Sequence, residues 1–157
     1  MNTAQIHLAL NHMPVIIIPV GLVIFLIGSW AQSSSVVKVG AWCLVAAGLL
    51  VLPAYFTGEG AEEVIEHLPG VVESFIEEHE EAALPAAILG GVSALFAAVY
   101  LIVARAGRVP SKALSAIVVL CAAAAVLLFV RAAHLGGLIR HPELRSDFVA
   151  VAPEESH

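Results

Sequence analysis

Polar and apolar positions along the chain separate into long blocks instead of alternating at short range. Four blocks are almost wholly apolar, at residues 6–30, 39–56, 84–104 and 113–138. Each is close to the ~20 apolar residues that a helix needs to cross a bilayer. The polar turn AQSSSVV, closed by Lys38, joins the first two, and RAGRVPSK joins the last two. Between the second and third blocks lies a long polar stretch, residues 57–83, and a polar tail follows Pro142 over residues 142–157. This pattern predicts a single all-α integral membrane domain. Four transmembrane helices form an up-down bundle, with an amphipathic helical cap between helices two and three.

Smaller features refine the elements. In the cap, Glu62, Glu63, Glu66 and His67 suit a short helix that Pro69-Gly70 breaks. Residues 71–83 suit a second, with Val72, Phe75, Ile76 and His79 on one face by i, i+3, i+4, i+7 spacing. Neither piece is long or apolar enough to span, so both are expected on the membrane surface or over the bundle. In the first block Asn11 is the candidate N-cap, Pro14 fits near the helix start or kinks it, and Pro19 bends it. Ala46-Ala47-Gly48, Gly90-Gly91, Ser93-Ala94 and the CAAAA run from Cys121 offer close helix contact.

Composition supports the membrane assignment. The chain has 157 residues, 60% of them hydrophobic and only 13% charged, where soluble domains carry about 25% charged residues. A net charge of −6 lacks the basic footprint that nucleic acid requires. Cys43 and Cys121 both sit in apolar runs and read as small buried hydrophobes. The spacing of a structural zinc finger is absent. The N-terminal stretch to Pro14 has no Lys or Arg, so no cleaved signal is expected and the first apolar block should remain as a helix.

The charges sort by side. Lys38, Arg105, Arg108 and Lys112 fall on one side of the predicted bundle without an acid among them. The other side takes all 13 acidic residues, all 7 histidines, and Arg131, Arg140 and Arg145. Lys and Arg favour the cytoplasmic side, four to three by this count. The acidic, histidine-rich side and both termini are therefore expected outside the cytoplasm, on the periplasmic face of a bacterial inner membrane.

The histidines are the candidate chemistry. His12, at the mouth of helix one, either bonds a helix-end carbonyl or ligates a metal or haem iron. His7 lies about 140° round the helix from it and is the weaker candidate. His79, on the apolar face of its helix, either packs with one nitrogen satisfied or ligates something beneath the cap. Glu80 and its acidic neighbours are solvated or supply ligands, and Glu63 with His67 has metal-binding spacing on a helix. At the end of helix four, Arg131, His134, Leu138 and His141 fall on roughly one face if the helix continues. Arg131 lies near hydrocarbon and needs a partner, either a cap carboxylate or a haem propionate. Arg140, His141 and Glu143 form a further ligand set just beyond it.

Four motifs carry a family resemblance: NHMPVIIIPVGL at helix one, YFTGEGAEE after helix two, HEEAA before helix three and HLGGLIRHPE at the end of helix four. In this order they resemble a broad family of uncharacterised bacterial four-helix membrane domains, some fused to cytochrome c modules. The family pattern pairs His-Pro with a following Val-His-Phe-Pro. Here His7 is followed by Leu8, and the later part reads Asn11-His12-Met13-Pro14, so the resemblance falls on His12 more than on His7. It implies a membrane domain with redox association.

Together these readings give three expectations. The first is electron transfer by a b-type haem near the outer face, bound through His12 with His79 or His134, with Arg131 beside it. Haem would be non-covalent, since no CxxCH exists. The second is a non-haem iron, copper or zinc site of His12, His67, His79, His141, Glu80 and Glu143. The third is an accessory subunit of a respiratory or photosynthetic complex, docking other membrane subunits or a cytochrome c. No catalytic set is identified, and the lack of charge at mid-membrane argues against a transporter.

Overall fold

The computed structural model describes residues 2–146. It is an all-α bundle of four long helices: α1 (Thr3–Trp30), α2 (Ser34–Phe56), α4 (Glu73–Arg105) and α5 (Lys112–Arg140). All four are long and apolar enough to cross a membrane. A short helix, α3 (Gly58–Ile65), lies between α2 and α4, and a 3-10 turn, Pro142–Leu144, follows α5. Neighbours in the ring are α1–α2, α2–α4 and α4–α5, and the α1–α5 seam closes it. That leaves α1 and α4 diagonal to each other.

Several boundaries differ from expectation: α2 begins at Ser34, inside the expected turn, and α3 ends at Ile65, short of Glu66 and His67. Helix α1 starts at Thr3, because Asn2 and Gln5 form a reciprocal capping box, Gln5 N–H to Asn2 Oδ1 at 2.9 Å and Asn2 N–H to Gln5 Oε1 at 3.2 Å. Asn11 is therefore inside the helix and caps nothing. The second cap helix and the third span are one rod, α4, with Pro85 inside it. Proline removes one N–H and crowds the carbonyl four residues back, and a long helix anchored on both sides absorbs that loss. Only α3 and the turn to Val72 lie between the spans. At 33 residues, α4 is about 50 Å long, well beyond a ~30 Å hydrocarbon layer. Its acidic first turns, with His79, project past that layer.

The four spans share one device, an inward stripe of period 3.5. On α1 it runs Ala4, His7, Asn11, Pro14, Ile18, Gly21, Phe25, Gly28; on α4 it passes through Ile76, His79, Ala86, Gly90, Ser93, Ala97 and Tyr100. At the end carrying Lys38 and Arg105 these stripes interlock. Phe25, Ile18, Leu44 and Val118 are fully buried there, and Phe25 meets the Tyr100 ring edge-on at 5.2 Å. Small residues set the spacing. A Cβ on Gly40 would fall 2.4 Å from the Phe25 backbone nitrogen, and one on Gly48 would fall 2.2 Å from the Ala94 Cβ. Close approach of this kind is what packs helices in lipid. Cys43 and Cys121 are free and half-buried. Leu8, Ile16, Val23, Leu49, Leu95 and Leu127 face outward, as lipid-facing positions do.

At the opposite end α5 is closed by a residue beyond it. Arg145 turns back, donating to the carbonyls of Leu138 (2.8 Å), Ile139 (3.1 Å) and, across the loop, Gly70 (3.2 Å). Its guanidinium lies 4.5 Å above the Phe75 ring centre. One side chain thus satisfies two helix-end carbonyls and ties the 66–72 turn to α5. Arg145→Ala is expected to cost about 2 kcal/mol. In hydrogen exchange it should raise rates in residues 66–75 while the basic end stays protected.

Candidate functional site

The inward stripes that interlock at the basic end separate toward the acidic end. From Pro14, Val51, Ala87 and Phe129 outward they enclose a cavity of about 890 Å³. Its floor is apolar. Its upper walls carry His7 and Asn11 from α1, Glu62 from α3, His79 and Glu80 from α4, and Arg140 and His141 from the end of α5. A cavity of this size, mostly apolar with few polar groups, is in the range that takes a cofactor or other sizeable ligand.

Two histidines are held from behind. The His7 Nδ1 lies 2.9 Å from the Ala54 carbonyl and 3.3 Å from the Thr57 hydroxyl. The His79 Nδ1 lies 2.9 Å from the Ala132 carbonyl. A carbonyl only accepts, so each ring carries a proton on Nδ1, and in the neutral imidazole Nε2 is then the nitrogen with a free lone pair. The two residues stand on diagonal helices and line the same cavity. Gly136 makes room for the His79 ring: a Cβ there would come within 3.1 Å of its Cε1 and Nδ1.

The other expected site residues divide. His12 lies at the exposed edge of the cavity, its Nδ1 3.2 Å from the Leu8 carbonyl of its own helix. Helical angle and resemblance favoured it over His7; the structure puts His7 on the part-buried wall. His141 lines the rim, with Nδ1 2.9 Å from Glu143 Oε1, and that bond holds the exposed Glu143 carboxyl below its usual range. His134 and Arg131 are exposed and do not line the cavity. The inward face of α5 runs Ala132, Gly136, Ile139, and at 100° per residue both lie far from it. Among the described residues neither is ion-paired. The His67 side chain is 85% exposed, 3.4 Å from Glu66 Oε1, and lies outside the cavity. Among the described residues no three His, Cys, Asp or Glu side chains converge into a preformed metal site. The histidine of the tail, His157, lies outside the described residues.

Two polar features had no counterpart in the sequence reading. The Asn11 Oδ1 is buried against the cavity without a hydrogen-bond partner, a costly state for an amide oxygen. Glu62 and Glu80 meet from α3 and α4 and share a hydrogen bond, which together with partial burial and the nearby Glu66 and Glu59 pushes the Glu62 carboxyl up to about 7. The folded state then binds a proton more tightly than the unfolded chain. Stability from this group is greatest below about pH 4.5 and falls as pH rises toward 7. Glu62→Gln should flatten that fall and raise the melting temperature at pH 8, read from thermal scans across pH 4–8 in one detergent. The signal for His7 and Asn11 was present in the sequence: both lie on the heptad line from Ala4 to Phe25, and His12 does not.

Fold and site together define a multi-pass membrane bundle with a histidine-walled cavity at one end. No protein-family model, curated protein or solved structure matches the chain.

Proposed function

We propose that the protein is a membrane electron carrier holding a b-type haem in this cavity, between His79 of α4 and His7 of α1. Where His12 bonds only its own helix at the exposed edge, the observation that carries the reading is the pair of part-buried imidazoles anchored by Nδ1 to the carbonyl of a neighbouring helix. That is how ligating histidines are oriented and made more basic, leaving Nε2 for the metal. Haem would ask the protein for imidazole nitrogens, here from His7 and His79, and an apolar slot. A non-haem ion asks for three or more converging donors, which are absent among the described residues; haem is thus the better fit. Arg140 at the rim suits a propionate, the part expected of Arg131 from sequence. The iron would supply one-electron redox chemistry. The chain would hold the ring in place, exclude water below it and, by anchoring each Nδ1, orient the Nε2 of His7 and His79 for it. The resemblance to domains fused to cytochrome c supports a cytochrome c as redox partner, at the periplasmic face of a bacterial inner membrane. The test is an optical spectrum of detergent-purified protein incubated with haemin, oxidised and then dithionite-reduced. A shifted Soret band and a sharp reduced α-band are expected; the spectrum of free haemin in both states would overturn the reading.

A further inference from the structure

The basic end carries a second recess, independent of the histidine cavity. It is a groove of about 360 Å³ on the outer face of the α2–α4 seam. Its walls are Trp42 and Val45 of α2 and Ala98 and Ile102 of α4, with Lys38 and Arg105 also lining it. Trp42 is 60% and Ile102 67% exposed, so the groove opens to the surroundings of the bundle. Lys38 lies in the second turn of α2 and Arg105 is the last residue of α4. Both therefore sit where the hydrocarbon layer ends. Among the described residues neither has a carboxylate partner. The neighbouring loop adds Arg108 and Lys112 and no acid.

We propose that this groove is a seat for one anionic phospholipid. Its phosphate lies between Lys38 and Arg105, and an acyl chain runs along Trp42, Val45, Ala98 and Ile102 toward the bilayer centre. The charge pattern selects the headgroup. Two cations converge at the interface on a groove too apolar to be left to water, and basic recesses between transmembrane helices recognise acidic lipid headgroups for this reason. Trp42 is at the depth where its indole ring prefers the headgroup boundary. A zwitterionic lipid fills the apolar part equally well and gains less from the cations.

The test is native mass spectrometry of the full chain from nanodiscs of equal parts phosphatidylglycerol and phosphatidylcholine. One phosphatidylglycerol is expected to stay bound, preferred roughly tenfold over phosphatidylcholine. The double variant Lys38→Gln/Arg105→Gln should lose that preference while keeping its melting temperature in phosphatidylcholine alone. Arg108→Gln/Lys112→Gln should keep it. Trp42→Ala should lower retention of both lipids. Equal retention of the two lipids by the unaltered chain would overturn the proposal, as would loss of preference in both double variants alike, which would mean diffuse charge. Inorganic phosphate displacing the lipid at millimolar level would reassign the site to a free anion and also overturn it.

Discussion

Replacing His79 with alanine is expected to abolish the haem spectrum, with both the Soret shift and the reduced α-band falling to the level of free haemin. The change removes one of the two anchored imidazoles and leaves the Ala132 carbonyl without its 2.9 Å donor. Losing that bond costs about 1 kcal/mol, too little to unfold a bundle whose core sits at the other end. Gel filtration and thermal scans should therefore show a folded, colourless protein. His7→Ala should act in the same direction, and His12→Ala should leave the bands in place. Gly136→Ala tests the geometry without removing either imidazole. Its new methyl group meets the imidazole at 3.1 Å, so the ring must tilt, and a shifted α-band with weaker haem retention is expected. Bands that survive in His79→Ala and His7→Ala but vanish in His12→Ala would move the ligand to the mouth of the cavity.

The second large effect is on stability. Gly40→Val should be among the most damaging single changes in the protein, costing about 3 kcal/mol or more. A Cβ at Gly40 would meet three backbone atoms of α1: the Phe25 nitrogen at 2.4 Å, its Cα at 2.7 Å and the Gly21 oxygen at 2.8 Å. Backbone cannot rotate aside as a side-chain tip does, so α1 and α2 must separate and the Phe25–Tyr100 contact with them. Gly91→Val is the control. It keeps glycine chemistry on the same bundle but faces open space, with nothing within 4 Å of a Cβ. The measurement is the midpoint of unfolding in mixed micelles of rising denaturing detergent. Equal midpoints for the two variants would show that close α1–α2 approach does not hold the bundle.

Most of the architecture was legible because it rests on long-range hydropathy, which lipid imposes on every span. The helix ends were less legible, since they depend on local competition. Asn2 with Gln5 outcompeted Asn11 as a cap because a capping box satisfies two orphan amides at once. The third apolar block begins at residue 84, but a helix already anchored on both sides tolerates the bond missing at Pro85, so α4 runs through it from Glu73. At the site, His79 was placed inward correctly by its spacing with Phe75 and Ile76. His7, the weaker candidate by its angle to His12, lies on the inward stripe through Ala4, Pro14 and Ile18 and lines the cavity. Arg131 and His134 lie on an exposed face of α5 and do not line the cavity. The Arg145 clasp and the Glu62–Glu80 pair join residues far apart in sequence, and nothing local announces them.

The continuity of α4 makes it a lever. Its tight contact with α2, at Gly48 and Ala94, acts as the fulcrum, and His79 sits fifteen residues away on the same unbroken rod. That arm is about 22 Å, so a tilt of roughly 5° about the fulcrum carries the imidazole by about 2 Å. A side chain larger than glycine at position 48, deep in the apolar layer and far from any histidine, is therefore expected to be felt at His79.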